Sequence, residues 1–181
     1  MIFNPSPLAG CYTINFQPHE DDRGWFSRVY CQKEFEAIDH QLPFVQFNHS
    51  FNHKKGTIRG MHYQNPPFQE IKLIRCISGS VYDVVIDIRK DSPTFLQYFG
   101  IELSALNHQM IYIPNGFAHG FQTLEDNTQL LYHHTEFYQP GYEAGIHYMD
   151  PKIQIDWKLP LSIISDRDKN FNFINENFKG I

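Results

Sequence analysis

Residues 57–64 place several residue types that proton chemistry uses within a few positions of one another. Arg59 can neutralise an anion, and His62 can take up or release a proton near neutral pH. Gly60, between them, allows the backbone or a ligand to approach closely. An exposed β-strand that happens to carry an arginine and a histidine would have the same residues, so a site here requires partners from elsewhere in the chain.

A proton-transfer site needs a base, an acid on the other side of the substrate and a cation near the developing oxyanion. His62, Tyr132 and Lys72 supply those three types. A carboxylate behind the imidazole would fix its tautomer, and the candidates are Asp83, Asp166 and Asp168. Each group also has an ordinary structural interpretation: Tyr132 as a core aromatic, Lys72 as a solvated strand residue and Asp168 as a helix cap.

A metal site is the alternative chemistry. Pro114, Gly116 and His119 have the spacing P-x-G-x-x-H, which resembles the second signature of the cupin superfamily. The first cupin signature has His-x-His followed by Glu, whereas this chain has His62-Tyr63-Gln64. Two imidazoles without a carboxylate make a poor catalytic metal site, so we expect no metal and no cofactor. A metal-dependent cupin enzyme that uses His62 and His119 remains the alternative, and a structural histidine in a tight turn is another interpretation of His119.

Length, charge and cysteine content restrict the class of protein. The 181 residues suit one domain, 1–181, with a substantial core. A net charge of -5 argues against a nucleic-acid partner. The three cysteines are widely spaced and form no CxxC pair, as expected for free thiols in a reducing compartment. No signal peptide or bilayer-spanning stretch is evident, so we expect a cytoplasmic protein without a membrane partner.

Hydrophobic alternation and turn residues predict many short strands. The predicted strands cover residues 25–31, 44–51, 57–64, 71–77, 81–89, 95–103, 110–113, 117–124 and 129–137, with one early helix over 33–40 and a short final helix within 165–170. This pattern is typical of an all-β fold, and we expect a two-sheet jelly roll, a double-stranded β-helix, with a cavity in its mouth. Strict alternation would place Arg59 and His62 on opposite faces, so either Gly60 introduces a bulge or Arg59 serves another surface.

The chain resembles the dTDP-4-dehydrorhamnose 3,5-epimerase family, which comprises metal-free cupins. The resemblance lies in motifs that follow the family order over nearly the whole chain: Asp22-Arg23-Gly24-x-Phe26, Gln46-x-Asn48-x-Ser50, Arg59-Gly60-x-His62-x-Gln64, Lys72-Leu73, Asp83-x-x-x-Asp87-x-Arg89, Ser92-Pro93-Thr94, Ile113-Pro114-x-Gly116-Phe117-Ala118-His119-Gly120-Phe121, Tyr132, Asp150-Pro151, Trp157 and Ser165-x-x-Asp168. Each motif is weak alone, and the ordered set is highly specific.

The resemblance implies an isomerase that inverts C3, C5 or both in a nucleoside-diphosphate 4-keto-6-deoxyhexose. The keto group acidifies the C–H bonds on the neighbouring carbons. By resemblance, His62 removes a proton, Asp168 orients that imidazole, Lys72 stabilises the enolate oxygen and Tyr132 returns a proton on the opposite face. The most similar reaction would convert dTDP-4-dehydro-6-deoxyglucose to dTDP-4-dehydrorhamnose. A non-catalytic sugar-nucleotide binder is disfavoured, because a binder needs no acid and base together.

The resemblance also implies a set of substrate-binding positions and a homodimer. The substrate-binding positions are Arg23, Phe26, Arg28, Gln46, Asn48, Arg59, His119 and Tyr138. Members of the family exchange N-terminal strands in a dimer, so Arg23 is expected to serve the partner's site. Arg28 stands where the family usually has an acidic residue that contacts the nucleobase, which makes a different nucleotide an alternative. An epimerase that inverts only C3 or only C5 is a further alternative.

Overall fold

The computed structural model describes residues 1–181 and is dominated by antiparallel β-strands. The strands are β1 Ile2–Pro5, β2 Tyr12–Asn15, β3 His19–Asp21, β4 Gly24–Phe26, β5 Gln46–Asn52, β6 Ile58–Gln64, β7 Lys72–Ser78, β8 Ser80–Asp87, β9 Tyr98–Ser104, β10 Gln109–Ile113, β11 Phe117–Thr123, β12 Thr128–His134 and β13 Glu143–Gly145. The helices are α1 Gln32–Phe35, continued by a 3₁₀ turn Glu36–Ile38, and α2 Asp166–Lys169. No helix has the length and apolar character needed to cross a membrane.

Two large sheets face each other, and a small hairpin stands apart from them. The six-stranded sheet has the order β1-β2-β10-β7-β12-β5, and the five-stranded sheet has the order β13-β6-β11-β8-β9. Strands β3 and β4 form the separate two-stranded sheet. Strands that follow each other in the chain often lie in different sheets, as in a jelly roll. The predicted all-β double-stranded β-helix with a few short helices is confirmed.

The core has three layers, because both large sheets are covered on both faces. Residues such as Ile74, Val85 and Leu130 meet between the sheets. The C-terminal segment covers the outer face of the five-stranded sheet through Ile146, Ile153 and Ile174. The helical turns at α1 cover part of the outer face of the six-stranded sheet. Burial on both faces explains why every residue of β8 is buried although its sequence does not simply alternate.

Two predicted elements near the N-terminus are shorter than the pattern indicated. The strand predicted over 25–31 ends at Phe26, because Val29 and Tyr30 pack into the cluster around Phe35 and do not pair with a neighbouring strand. The helix predicted over 33–40 is one α-turn followed by a 3₁₀ turn. It ends where Asp39 adopts a left-handed conformation with φ of 56°. The predicted short final helix is confirmed as α2.

Gly60 forms the bulge in β6 that Arg59 and His62 need in order to line the same cavity. His119 of β11 lies opposite His62, and Phe121 lies opposite Arg59, so β6 has one residue more than β11 over this stretch. A Cβ atom on Gly60 would lie 2.5 Å from Gly120 Cα, and the φ of Gly60 is +124°. Only glycine therefore fits this bulge, and the extra residue places Arg59 and His62 on the same cavity.

Candidate active site

A cavity of about 290 Å³ lies between the two sheets. It is lined by Gln46, Asn48, His49, Ser50, Arg59, His62, Tyr63, Gln64, Glu70, Lys72, His119, Phe121, Tyr132, His134, Tyr138, Glu143 and Arg167. Strand β6 contributes Arg59 and His62 from the five-stranded sheet, while β7 and β12 contribute Lys72 and Tyr132 from the six-stranded sheet. The imidazole and the phenol therefore reach the cavity from opposite sheets.

His62 forms a pair with Asp168. Its Nε2 atom lies 2.8 Å from Asp168 Oδ1, and the other oxygen of Asp168 accepts a hydrogen bond from the Gly60 amide at 2.9 Å. Ser165 caps α2 by accepting from the Asp168 amide at 3.1 Å, so Asp168 is an internal residue of the helix and not its cap. The structure thus selects Asp168 from the three candidate carboxylates as the partner of His62.

The protonation states of this pair follow from its surroundings. Burial would raise the pKa of Asp168, but hydrogen bonds from His62, Gly60 and Arg167 hold it well below its usual range. An ionised carboxylate can only accept, so His62 Nε2 carries a proton and Nδ1 retains its lone pair. Burial lowers the pKa of His62, with smaller contributions from the charges of Arg167 and Lys72, against the raising effect of Asp168. His62 is therefore neutral at pH 7, as a general base must be.

Arg167 lies over this pair, and the sequence did not single it out. Its Nε donates to Asp168 Oδ1 at 3.0 Å, and its Nη1 forms an ion pair with Glu143 of β13. Its Nη2 lies 3.0 Å from His62 Nε2, where two donors meet and no hydrogen bond forms. The guanidinium therefore acts on His62 through its charge and holds Asp168 in place.

Tyr132 projects from β12 into the cavity, and its hydroxyl lies 3.0 Å from Ser50 Oγ on β5. Burial raises the pKa of Tyr132 well above its usual range, so the phenol keeps its proton at all ordinary pH values. Its position in the cavity makes it available as a proton donor.

Ser50 received no role from the sequence. Strand alternation nevertheless places it on the same face of β5 as Gln46 and Asn48.

Lys72 is buried, contrary to the interpretation of a solvated strand residue. Its Nζ lies 2.9 Å from Glu70 Oε1, and Glu70 Oε2 lies 2.6 Å from His134 Nδ1. Burial would raise the pKa of Glu70, but Lys72 and His134 together lower it to about 2. Glu70 and His134 were not among the predicted site residues, because nothing in their spacing along the chain shows that they meet.

His119 forms a second imidazole–carboxylate pair next to the first. Its Nε2 lies 3.1 and 3.0 Å from the two oxygens of Asp83, and both side chains are buried. Desolvation raises the pKa of Asp83, and the neighbouring His119 opposes that rise. His62 and His119 thus each direct Nε2 to their own carboxylate, and no group of three or more His, Cys, Asp or Glu side chains is arranged to hold a metal ion. The donor set does not fit the metal-dependent alternative.

The eight predicted substrate-binding residues divide into two groups. Gln46, Asn48, Arg59, His119 and Tyr138 line the cavity. Arg23, Phe26 and Arg28 belong to the β3–β4 hairpin region and lie outside it. Arg23 pairs with Asp21 in solvent, Arg28 pairs with Glu34, and the Phe26 side chain is 77% exposed. Within one chain, the structure does not bring this second group to the cavity.

Arg59 is held by Asn52, a buried residue that also received no role from the sequence. Asn52 Oδ1 accepts from Arg59 Nε at 2.7 Å, and Asn52 Nδ2 donates to the Thr128 carbonyl at 3.1 Å. The same amide lies 3.4 Å from Ser50 Oγ. Asn52 therefore connects the arginine at the cavity wall to the hydroxyl that contacts Tyr132.

A two-sheet jelly roll with an imidazole–carboxylate pair, a phenol and an ammonium around one cavity defines an enzyme of the cupin type that is equipped for proton transfer. The profile of the dTDP-4-dehydrorhamnose 3,5-epimerase family matches residues 5–176. The chain belongs to this family, so the resemblance seen in its motifs is confirmed.

Individual relatives agree with this assignment. A dTDP-4-dehydrorhamnose 3,5-epimerase of Shigella flexneri is 45% identical over 83% of each chain. The structure of the Bacillus anthracis dTDP-4-dehydrorhamnose 3,5-epimerase, with TDP and PPi bound, matches with a TM-score of 0.93 and 37% sequence identity. The match covers 96% of this chain and 99% of the Bacillus anthracis chain. The structure of a Legionella pneumophila dTDP-6-deoxy-D-glucose-3,5-epimerase in complex with dTDP-4-keto-L-rhamnose has a TM-score of 0.91 and 36% identity, and it covers 95% and 92% of the two chains.

Proposed function

We propose that this protein epimerises C3 and C5 of a dTDP-linked 4-keto-6-deoxyhexose and converts dTDP-4-dehydro-6-deoxyglucose to dTDP-4-dehydrorhamnose. One observation carries the proposal: the His62–Asp168 pair of the five-stranded sheet and Tyr132 of the six-stranded sheet share one cavity with the Lys72 ammonium. Inversion requires a base and an acid on opposite faces of one carbon, and the two sheets provide the two directions.

Each inversion consists of two proton transfers. His62 Nδ1 takes the proton from the carbon beside the keto group, and the C–H electron pair moves into the carbonyl to give an enolate. The Lys72 ammonium stabilises the negative oxygen. The Tyr132 hydroxyl then delivers its proton to the opposite face as the carbonyl reforms. Solvent later removes the proton from His62 and reprotonates the Tyr132 phenolate, so the enzyme returns to its starting state.

Arg59, Gln46 and Asn48 are proposed to hold the diphosphate and the sugar. The guanidinium of Arg59 is oriented by Asn52 at the cavity wall, and a planar fork suits phosphate oxygens. The amides of Gln46 and Asn48 lie on the same face of β5. The Bacillus anthracis relative contains TDP and PPi, which supports a diphosphate-binding role for the equivalent region here.

We further propose that the 181 residues form one domain that functions as a homodimer in which the β3–β4 hairpin completes the partner's cavity. The side chains of Trp25 and Phe26 are exposed, and Arg23 and Arg28 do not line the cavity of their own chain, which supports this arrangement. A cytoplasmic location agrees with the free thiols of Cys11, Cys31 and Cys76. Arg28 would then meet the nucleobase of the partner's substrate, where its charge bears on the choice of nucleotide.

Deuterium incorporation tests the function directly. The protein is incubated in D₂O with dTDP-4-keto-6-deoxyglucose, with and without a chelator, and the sugar is followed by NMR. We expect deuterium at C3 and C5 together with the inverted product, and no effect of the chelator. Labelling at one carbon would indicate an epimerase of that carbon alone. Absence of exchange with dTDP-, CDP- and GDP-linked substrates would reject the proposal, and loss of activity with chelator would support the metal-dependent alternative.

A further inference from the structure

Lys72 is part of a buried network of three ionisable side chains that the mechanism above does not use in full. Glu70 bridges Lys72 Nζ at 2.9 Å and His134 Nδ1 at 2.6 Å, one oxygen to each partner. The three side chains are only 9, 10 and 8% exposed for Lys72, Glu70 and His134. Two lie on neighbouring strands, β7 and β12, and Glu70 lies in the segment that leads into β7.

The hydrogen-bond directions in this network are determined by its chemistry. Asn48 Nδ2 lies 3.3 Å from His134 Nε2, and an amide nitrogen can only donate, so Nε2 accepts. His134 Nδ1 then carries the proton and donates to Glu70 Oε2. Each carboxylate oxygen therefore has one close donor within the wall of the cavity. A carboxylate held at two points cannot rotate without breaking a charge-assisted hydrogen bond.

Glu70 is the carboxylate in direct contact with the ammonium. The other ionisable groups that face Lys72 come from three strands: His62 on β6, Asp83 on β8 and His134 on β12. Asp83 already pairs with His119, and the two histidines bring no negative charge. A buried ammonium is costly unless a charged group accepts its hydrogen bonds, because burial removes the water that would otherwise accept them. Glu70 is therefore the group that anchors the Lys72 ammonium in the cavity wall.

We propose that Glu70 and His134 are positioning residues for Lys72. Glu70 accepts from one of the three N–H donors of the ammonium and leaves two for the cavity, and His134 holds the carboxylate in place. The inference rests on the proposed function, in which the ammonium faces the enolate oxygen. It adds that the direction of this ammonium depends on two residues that do not touch the reacting atoms.

The test compares Glu70→Gln and His134→Phe with wild type. Glutamine keeps the size of Glu70 and loses its charge, whereas phenylalanine keeps a ring beside Tyr132, whose ring is stacked on that of His134 at 6.2 Å. Asp156→Asn is the matched control, because it removes a carboxylate from the exposed Lys158 and neither residue lines the cavity. The readouts are kcat and KM for deuterium incorporation, the affinity for dTDP, the melting temperature and the ¹³Cε NMR signal of Lys72 at one fixed pH, assigned with Lys72→Met.

We expect Glu70→Gln to bind dTDP within about twofold of wild type, since dTDP lacks the sugar that Lys72 faces, while kcat falls by roughly tenfold or more. The ¹³Cε signal of Lys72 should move away from its wild-type position, because the ammonium loses its carboxylate partner. His134→Phe should lower kcat less and leave the Lys72 signal near its wild-type position, because the Glu70–Lys72 pair remains. Asp156→Asn should change none of these quantities.

The Lys72 NMR signal separates the two proposals. If Glu70→Gln is folded and binds dTDP but its kcat and its Lys72 signal match those of wild type, the network is only a structural salt bridge and the positioning role is rejected. If wild type shows no exchange at all, the proposed function fails, and the Lys72 signal still decides whether Glu70 holds this ammonium. If Glu70→Gln does not fold, Glu70→Asp, whose shorter arm moves the carboxylate away from the ammonium, must lower kcat while dTDP affinity is retained for the proposal to stand.

Discussion

Asp168 uses one carboxylate oxygen to hold His62 Nε2 at 2.8 Å and the other to accept from the Gly60 amide at 2.9 Å, so one side chain links α2 to the bulge in β6. The bulge directs His62 into the cavity, and the carboxylate determines which nitrogen of the imidazole has a free lone pair. Asp168 therefore helps to set both the tautomer of His62, the proposed base, and the direction in which it points.

Replacing Asp168 with Asn should remove the interaction that fixes the tautomer of His62. The amide can donate to Nε2 and favour the tautomer whose Nδ1 carries the proton, which removes the base. We expect deuterium incorporation to fall by at least roughly a hundredfold, with dTDP affinity little changed. Asp166→Asn, on the exposed face of the same helix, should retain wild-type exchange. Comparable activity in the two variants would contradict the assigned partner.

The pH dependence of kcat/KM should have an acidic limb set by His62. The pKa of His62 lies below its ordinary value, because burial and then the charges of Arg167 and Lys72 outweigh the effect of Asp168. The neutral base is therefore present at pH 7 and is lost as the pH falls through this lowered pKa. Arg167→Gln removes a positive charge that opposes protonation, so its acidic limb should move to higher pH. A limb that stays in place or moves to lower pH would be inconsistent with the role of Arg167.

Tyr132→Phe should separate proton removal from inversion. His62 can still remove and return a proton on its own face, so exchange with solvent can continue, whereas delivery to the opposite face requires the phenol. We expect formation of the epimer to fall by at least roughly a hundredfold, and residual deuterium should appear in unepimerised substrate. Tyr12→Phe, on β2, where the ring packs against Tyr112, serves as the control. Normal epimer formation by Tyr132→Phe would eliminate Tyr132 as the acid.

Asn52→Ala should weaken nucleotide binding through Arg59. The change removes the 2.7 Å hydrogen bond that orients the guanidinium and leaves the Thr128 carbonyl without its side-chain donor. We expect dTDP affinity to fall by about tenfold and stability by about 1–3 kcal/mol. A double-mutant cycle with Arg59→Ala checks the route: Asn52→Ala should cost little further affinity once Arg59 is gone. Full additivity of the two changes would show that Asn52 acts independently.

Mixed dimers should reveal which subunit uses Arg23. His62→Ala and Arg23→Ala are each expected to be nearly inactive. If Arg23 completes the partner's cavity, a mixed dimer contains one cavity with both residues intact, so the purified mixed dimer should have about half of the wild-type activity. If Arg23 serves its own chain, no intact cavity forms. Co-expression of the two variants with different tags, followed by tandem purification and the exchange assay, distinguishes the two cases.

Local patterns in the sequence determined most of the β-structure. Alternation and turn residues located the strands from β5 to β12, and the conflict between Arg59 and His62 identified Gly60 as the point of a bulge. These signals are local, because alternation reports a half-buried strand and glycine reports a close approach. The pattern was wrong for residues 27–31, where Val29 and Tyr30 pack under α1 without pairing as a strand.

The sequence by itself also determined the kinds of chemistry available, since His62, Lys72 and Tyr132 offer a base, a cation and an acid whatever their arrangement. Only the tertiary structure decided which side chains pair with one another. It paired His62 with Asp168, 106 residues away, and His119 with Asp83, although both carboxylates had been candidates for His62. It also brought together Glu70 and His134, which lie 64 residues apart. Such contacts depend on sheet order and strand register, which are long-range consequences of core packing and cannot be read from the spacing of residues along the chain.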